Sequence, residues 1–375
     1  MILTLRNVQN GGQPVPSNYL PVRVSDVLDP VSGERGDVEF DVPGPAWPAG
    51  RSVLDGSELW LLPGLYDADS HLPVLQRGLR EQDRVRAIAG GATAINTAVP
   101  WHLLEPLDLD EVTAFFAQTT FPRVVPILSV SDEPSSAGFA VWLDKFGEQI
   151  RQTWMPTIKL YSNDPYFWPN LEAVWAAGCR AAIYFYDEQA FTDVVASSGG
   201  PVHFRHVVSK AMYDQVASRP DSTCQTSPHF LLELPESRSS ELFVLPPVAG
   251  DSERTSLRAI LAEKIDLVAS DHNAPITGST GPGLESEQHL LPVLLTLVAQ
   301  GVLDLPTALT KAGNGAKAVF QPAPEVPENW LLVDPRSTGP TTTWPGQEAR
   351  RAPFRDVDLA GCVQAAFGDG RGRFL

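Results

Sequence analysis

Cysteine is scarce in this chain, and its three copies, Cys179, Cys224 and Cys362, lie far apart with no CxxC pair. That spacing excludes a disulfide framework and a thiolate zinc site, and it fits three small buried hydrophobes. Basic residues are also few: 28 Lys and Arg stand against 45 Asp and Glu, a formal charge of -17. No Lys/Arg cluster offsets the excess, so a nucleic-acid or anionic-membrane surface is not expected. No apolar stretch approaches the roughly 18 residues of a membrane span, and MILTLRNVQNGG lacks a basic segment followed by an apolar run. The expectation is a cytoplasmic protein.

What is present is enough apolar residue, 43% of 375, for a sizeable core, together with 34 Pro and 29 Gly that imply many loops. Residues 1–58 read as short alternating strands joined by turns (LPVRVSDVL, DVEFDV), with no helix evident. From Leu59 to residue 320 short apolar runs alternate with helical periodicity: LWLLPGLYDADSH, ATAINTAVP, RVVPILSVS, PTIKLYS, CRAAIYFYD, PVHFRHVV and IDLVASD. LDEVTAFFAQ and NLEAVWAAG are examples of the helical segments between them, and DSTCQTS is the place for an eighth strand. Repeated strand–helix units of this number predict an α/β (β/α)8 TIM-like barrel. Residues 321–375 return to strand and turn (NWLLVDP, PTTTWPGQEARRAPF, GCVQAAFGDGR). Two β segments that bracket a barrel in sequence are expected to join in one small β-sandwich built from both termini.

Barrel proteins carry chemistry at the C-terminal ends of strands, so the polar residues closing each apolar run are the candidates. The first run ends Asp67-Ala68-Asp69-Ser70-His71, where period-two alternation puts Asp67, Asp69 and His71 on one face. Asp69 and His71 together suit a metal ion, although, read alone, a structural turn or a hydrogen-bonded histidine is the commoner explanation. Lys159 sits in the strand IKLY, where a buried lysine is costly unless paired or modified; snorkelling at a strand end is the alternative. In Val202-His203-Phe204-Arg205-His206 the inward pair is either His203 and Arg205 or Phe204 and His206. Asp271, in Ser270-Asp271-His272-Asn273, is placed for a metal ligand or general base, or for a helix cap.

Taken in order, these segments resemble a family. LPGLYDADSHL looks like the dihydroorotase signature PG-(F/L)-(I/V)-D-x-H-x-H-L, and IKLY resembles the strand that carries its metal-bridging carbamylated lysine. FRHVVSK is similar to (L/F)-E-H-(I/L)-(S/T)-T-K, TSPHFLLE to TPHHLLL, SDHNAP to (T/S)-D-H-A-P-H, and GPGLESEQHLLPVLLTLVAQG to the PG-(L/I)-E-T…LPLLLTLV helix; NWLLVDP…RRAPF…L-x-G-x-V matches the closing β segment. The resemblance, to the dihydroorotases of the amidohydrolase superfamily, runs from about residue 50 to the C-terminus. It implies a metal set containing Asp69, His71, Lys159, His206 and Asp271, with Asp271 as the catalytic proton carrier; Tyr161 and Asn273, at the ends of the same strands, are the candidates for contact with a substrate.

The same resemblance implies an incomplete site. Asp69 stands where the family has the first histidine of its pair, and Tyr184-Phe185-Tyr186-Asp187-Glu188 offers no histidine where the fifth strand should supply one. Carboxylate oxygen is a competent zinc ligand and an aromatic ring is not. One Zn2+ is therefore expected rather than two, or none. The carboxylate-binding residues are missing too: Pro73 replaces an arginine, Val99-Pro100 falls where an asparagine is expected, and Pro275 or Ile276 replaces a histidine. Two functions follow from the resemblance. One is a noncatalytic pseudo-dihydroorotase of pyrimidine biosynthesis that serves as structural partner of aspartate carbamoyltransferase. The other is a mononuclear hydrolase of a cyclic amide or imide, with one metal on Asp69, His71 and Asp271 and a pocket of Trp101, Tyr161, Tyr184 and Tyr186. A homo-oligomer is expected in either case, and His203, His229 and His272 are read as hydrogen-bonded structural residues that could substitute as ligands.

Overall fold

The computed structural model describes residues 19–43, 53–119, 121–131, 136–153, 156–235, 242, 244–248, 250–273, 282–320, 328–340, 349–368 and 371–375. The N-terminal twelve residues, Pro275 and Ile276 lie outside this set.

Eight strands form one parallel sheet: β5 (Leu65–Ser70), β6 (Ala92–Pro100), β7 (Arg123–Val130), β8 (Thr157–Tyr161), β9 (Arg180–Tyr184), β10 (Val202–Phe204), β11 (Ser222–Thr226) and β12 (Leu267–Val268). Each pairs with the next in sequence order. Both edges meet in a short parallel bridge between Ser70 and His272. There the His71 amide donates to the His272 carbonyl at 2.7 Å and the His272 amide donates to the Asp69 carbonyl at 3.1 Å. The expected barrel is present, and its closing seam runs through the residues flanking Asp69 and Asp271.

Helices cover the barrel because their apolar residues recur on one side. In Leu109–Ala117, Leu109, Val112 and Phe116 are buried, and Asp108 accepts from the amides of Asp110 and Glu111 to cap the start. In Asp251–Lys264 the buried positions Arg254, Leu257, Ile260 and Leu261 follow the same spacing. Inside the barrel, Tyr66, Ala94, Val125, Ala182 and Leu267 pack with Phe320 of helix Asn314–Phe320. This interior is filled with side chains, as in other barrels of eight strands.

The remaining strands, β1 (Tyr19–Leu28), β2 (Arg35–Pro43), β3 (Val53–Asp55), β4 (Trp60–Pro63), β13 (Trp330–Pro340), β14 (Asp358–Gly368) and β15 (Arg371–Phe374), form a mixed sheet in the order β15-β14-β13-β4-β1-β2, with β3 on β1. The two ends of the chain join where β4 pairs antiparallel with β13. Phe40 of β2 stacks on Phe367 of β14 with centroids 3.7 Å apart, so strands far apart in the sheet order face each other over Val22, Val24, Val38 and Leu332. The run LWLLPGLYDADSH, which reads as one strand, is two. β4 belongs to the small sheet and β5 to the barrel, and they divide at Gly64, where a Cβ would lie 2.2 Å from Thr93 Oγ1.

Candidate functional site

The centre of the site is the buried carboxylate of Asp69, at the end of β5. Its Oδ1 forms an ion pair with Nη2 of Arg205, lies 3.4 Å from Nε2 of His71 and 3.9 Å from Nζ of Lys159. Its Oδ2 accepts from Gln225 Nε2 at 2.7 Å and lies 3.9 Å from Nε2 of His206. Gln225 is itself fixed by His203, whose Nε2 lies 3.0 Å from its Oε1 and whose Nδ1 lies 2.9 Å from Thr223 Oγ1. His203 is thus a hydrogen-bonded strand residue.

Both Arg205 and His206 reach Asp69, although successive strand residues ordinarily point to opposite faces. The backbone of His206 explains this: its φ of 57° lies in the left-handed region, which breaks the alternation just beyond β10. Asp271 carries the same signature, with φ 53°. Each such residue costs on the order of 1–2 kcal/mol in backbone energy. Phe204, between His203 and Arg205, packs outward against Phe191 and Phe185.

Lys159, fully buried on β8, has its Nζ 2.6 Å from Nε2 of His71 and 5.1 Å from the Tyr161 ring centre. The contact requires His71 to accept at Nε2. Burial, and then the Lys159 charge, hold the His71 imidazole well below its usual pKa, so it is neutral and able to accept. His206 is likewise pushed well below its usual range, by burial first and then by Arg205 and Lys159. Burial brings Arg205 down to about 10, which leaves it charged at neutral pH. Asp271 is raised to about 7 by burial, against the opposing pull of Lys159 and Arg205. Asp67 does not enter the cluster: it accepts from the Ser270 amide at 2.9 Å and from the Ser270 hydroxyl, and burial raises it to about 6.

Among the described residues, Asp69, His206 and Asp271 present ligand atoms that all lie within 4.8 Å of one another. Neither ring nitrogen of His206 has a hydrogen-bond partner among the described residues. By ligand type and spacing these three could hold one metal ion, but both oxygens of Asp69 already have protein partners in Arg205 and Gln225. A second ion does not fit. Phe185 stacks on Phe204 with centroids 5.6 Å apart, the Tyr184 hydroxyl donates to the Leu245 carbonyl, and the Lys159 amine is engaged with His71.

Tyr161, Tyr184 and Tyr186 form a cluster, with Tyr184 5.0 Å from Tyr186 and 5.7 Å from Tyr161, and the edge of Tyr184 meets the His206 ring at 5.0 Å. Trp101 is instead a core residue against Phe139. The Asn273 side chain donates to the Pro282 carbonyl at 3.2 Å. His272 accepts at Nδ1 from the Ser286 amide at 3.2 Å. His229 differs from the other two secondary histidines: it is fully buried, has no hydrogen-bond partner among the described residues, and lies 4.0 Å from Asp271 Oδ2. Sequence reasoning named Arg205 only as one of two inward options and missed Gln225 altogether. The signal for Arg205 was its place beside His206; Gln225 sits in a strand, STCQT, with almost no apolar pattern.

No protein-family model matches the chain. Over 198 residues, 47% of this chain and 46% of the other, it is 30% identical to a dihydroorotase-like protein of Pseudomonas putida. A dihydroorotase-like protein of Pseudomonas aeruginosa is 31% identical over 199 residues, 47% of each chain. The sequence similarity is to dihydroorotase-like proteins. The chain spans about half the length of the curated relatives it matches. In three dimensions the chain resembles a D-hydantoinase (TM-score 0.69, 11% identity, 94% of each chain) and the dihydropyrimidinase of Brevibacillus agri (0.67, 15%, 95% and 96%). It also resembles the inactive dihydroorotase-like domain of a Chaetomium thermophilum CAD-like multifunctional protein (0.60, 15%, 84% and 96%). These likenesses establish the fold. Within it the metal site is incomplete: among the described residues it has three ligand residues rather than a binuclear set.

Proposed function

We propose that this chain is a noncatalytic dihydroorotase-like barrel of pyrimidine biosynthesis, acting as a structural partner of aspartate carbamoyltransferase. The observation that carries the reading is at β9, where Phe185 is committed to core packing and the Tyr184 hydroxyl to a backbone carbonyl. With no ligand from that strand, Lys159 has no second metal to bridge and pairs with His71 instead. The substrate side agrees, because Pro73 stands where the family has its carboxylate-binding arginine. A substrate carboxylate left unpaired forfeits several kcal/mol, on the order of 10³-fold in affinity. The partner is implied by the resemblance, and one structural neighbour is itself an inactive dihydroorotase-like domain of a multifunctional protein.

The test joins two measurements on one sample: elemental analysis of protein purified without added metal or chelator, and assays with dihydroorotate and hydantoin. The reading expects less than about a tenth of an equivalent of zinc, no turnover of either ring, and co-elution with aspartate carbamoyltransferase in mild salt. Stoichiometric metal with turnover overturns it, and separate elution removes the partner.

A second reading has specific support in Asp69, His206 and Asp271. A single Zn2+ held there would supply Lewis-acid activation of a cyclic amide or imide. Asp271, raised to about 7, is suited to hold or release the proton near neutral pH.

A further inference from the structure

The charge on Asp69 is already compensated from within the protein. Arg205 is 2% exposed, and its guanidinium is paired with Asp69 Oδ1. Gln225 fills Oδ2, held in place through His203 and Thr223. Lys159 adds a second cation 3.9 Å from Oδ1. A zinc ion bonds a carboxylate oxygen at about 2.0–2.2 Å. To reach Oδ1 it would have to displace the guanidinium and then rest beside two fixed positive charges, which repel it strongly in a poorly solvated interior.

We propose that Arg205 is a built-in cation that takes the charge role of a metal ion at Asp69, so that the barrel is folded and stable without metal and the three-ligand cluster is closed to zinc while Arg205 is in place. The left-handed turn at His206 makes this possible, since it brings Arg205 and His206 to the same carboxylate. The inference rests on the reading that the centre lacks binuclear metal chemistry, and it adds the residue that prevents even one ion from entering. Arg205 is a specificity-determining residue here, selecting against the metal.

The test is zinc titration by calorimetry, with melting curves in parallel, on chelator-treated wild type, R205Q, R205K and the double variant D69N/R205Q. The expected result is that zinc and chelator leave the wild-type Tm unchanged, and that R205K behaves the same way. R205Q should melt lower when metal-free, bind zinc at least about tenfold tighter than wild type, and regain Tm on zinc addition. D69N/R205Q should recover stability without zinc, because the unpaired carboxylate has gone. Wild type that binds zinc as tightly as R205Q overturns the proposal. So does R205Q that melts like wild type and ignores zinc. If R205Q alone does not fold, the double variant decides: soluble, zinc-indifferent D69N/R205Q supports the pairing, and a double variant as unfolded as R205Q refutes it. Failure here is separable from failure of the functional reading. Zinc bound to an inert wild type sinks only this inference, and turnover by metal-free wild type sinks only the other.

Discussion

The Nζ of Lys159 lies 2.6 Å from Nε2 of His71, a buried amine against an imidazole that burial keeps neutral. A carbamate on that nitrogen would place a carboxylate where the imidazole lone pair now sits, with no second metal to stabilise it. Protein incubated with ¹³C-bicarbonate is therefore expected to show no carbamate carbon resonance. A persistent labelled signal, lost in K159M, would restore the bridging role of the lysine.

The pH dependence of stability follows from the buried titrating groups. Burial brings His203, His229, His272 and His289 down to about 3 from 6.5. Below about pH 6.5 the unfolded chain takes up protons that the native state refuses, so their contribution is complete above 6.5 and is lost as pH falls toward 3. His71 and His206, held well below the usual range, act in the same direction. Asp67, raised to about 6, and Asp271, raised to about 7, act oppositely, as does Glu287, raised well above its usual value. These carboxyls favour the native state on acidification. The histidines outnumber them, so Tm is expected to fall between pH 6 and 4, at about 1.4 kcal/mol per pH unit for each unbalanced group. Scanning calorimetry across pH 4–8 checks this, and a Tm that rises on acidification contradicts it.

Arg86 and Glu285 form an ion pair of 2.7 Å in which both side chains are less than one tenth exposed. Removing one partner leaves a buried charge, so Arg86→Ala is expected to cost about 3–5 kcal/mol. Replacing both, as R86M/E285L, should recover most of that loss. Denaturant titration of the three proteins measures the difference, and an unaffected Arg86→Ala would mean that the pair contributes nothing.

Gly90 ends helix Glu81–Ala89, and a Cβ there would lie 1.8 Å from the backbone carbonyl oxygen of Glu287. Backbone cannot yield as a side-chain tip can. Gly90→Ala is expected to destabilise by about 1–3 kcal/mol, whereas a control substitution at an exposed helix position such as Glu172 should stay within about 0.5 kcal/mol. Equal melting temperatures for the two would show that the neighbouring 287–289 turn moves aside freely.

The architecture was legible because it is written in local patterns. Seven of the eight barrel strands announced themselves as short apolar runs, and the helices between carried the 3.6-residue repeat. The weak seventh strand, Ser222–Thr226, was the hardest to see because Gln225 and the two threonines serve the interior's polar side. The run from Leu59 to His71 was misleading for a related reason: β4 and the first two residues of β5, Leu65 and Tyr66, read as one apolar stretch, and only the close approach of Gly64 to Thr93 shows where one sheet ends and the other begins.

The sequence by itself determined the strand and helix order, the polar residues at the strand ends, and the missing ligand at Tyr184-Phe185. Those depend on residue type and spacing along the chain. The tertiary structure alone decided which of these residues meet. Asp69 and Arg205 are 136 positions apart in sequence, and Lys159 and His71 are 88 apart. Their pairing depends on the Ser70–His272 seam that closes the barrel and on one left-handed residue, His206. Alternation assigns Arg205 or His206 to the site; the dihedral at His206 admits both, because a positive φ turns the chain out of the strand before the next side chain can point away.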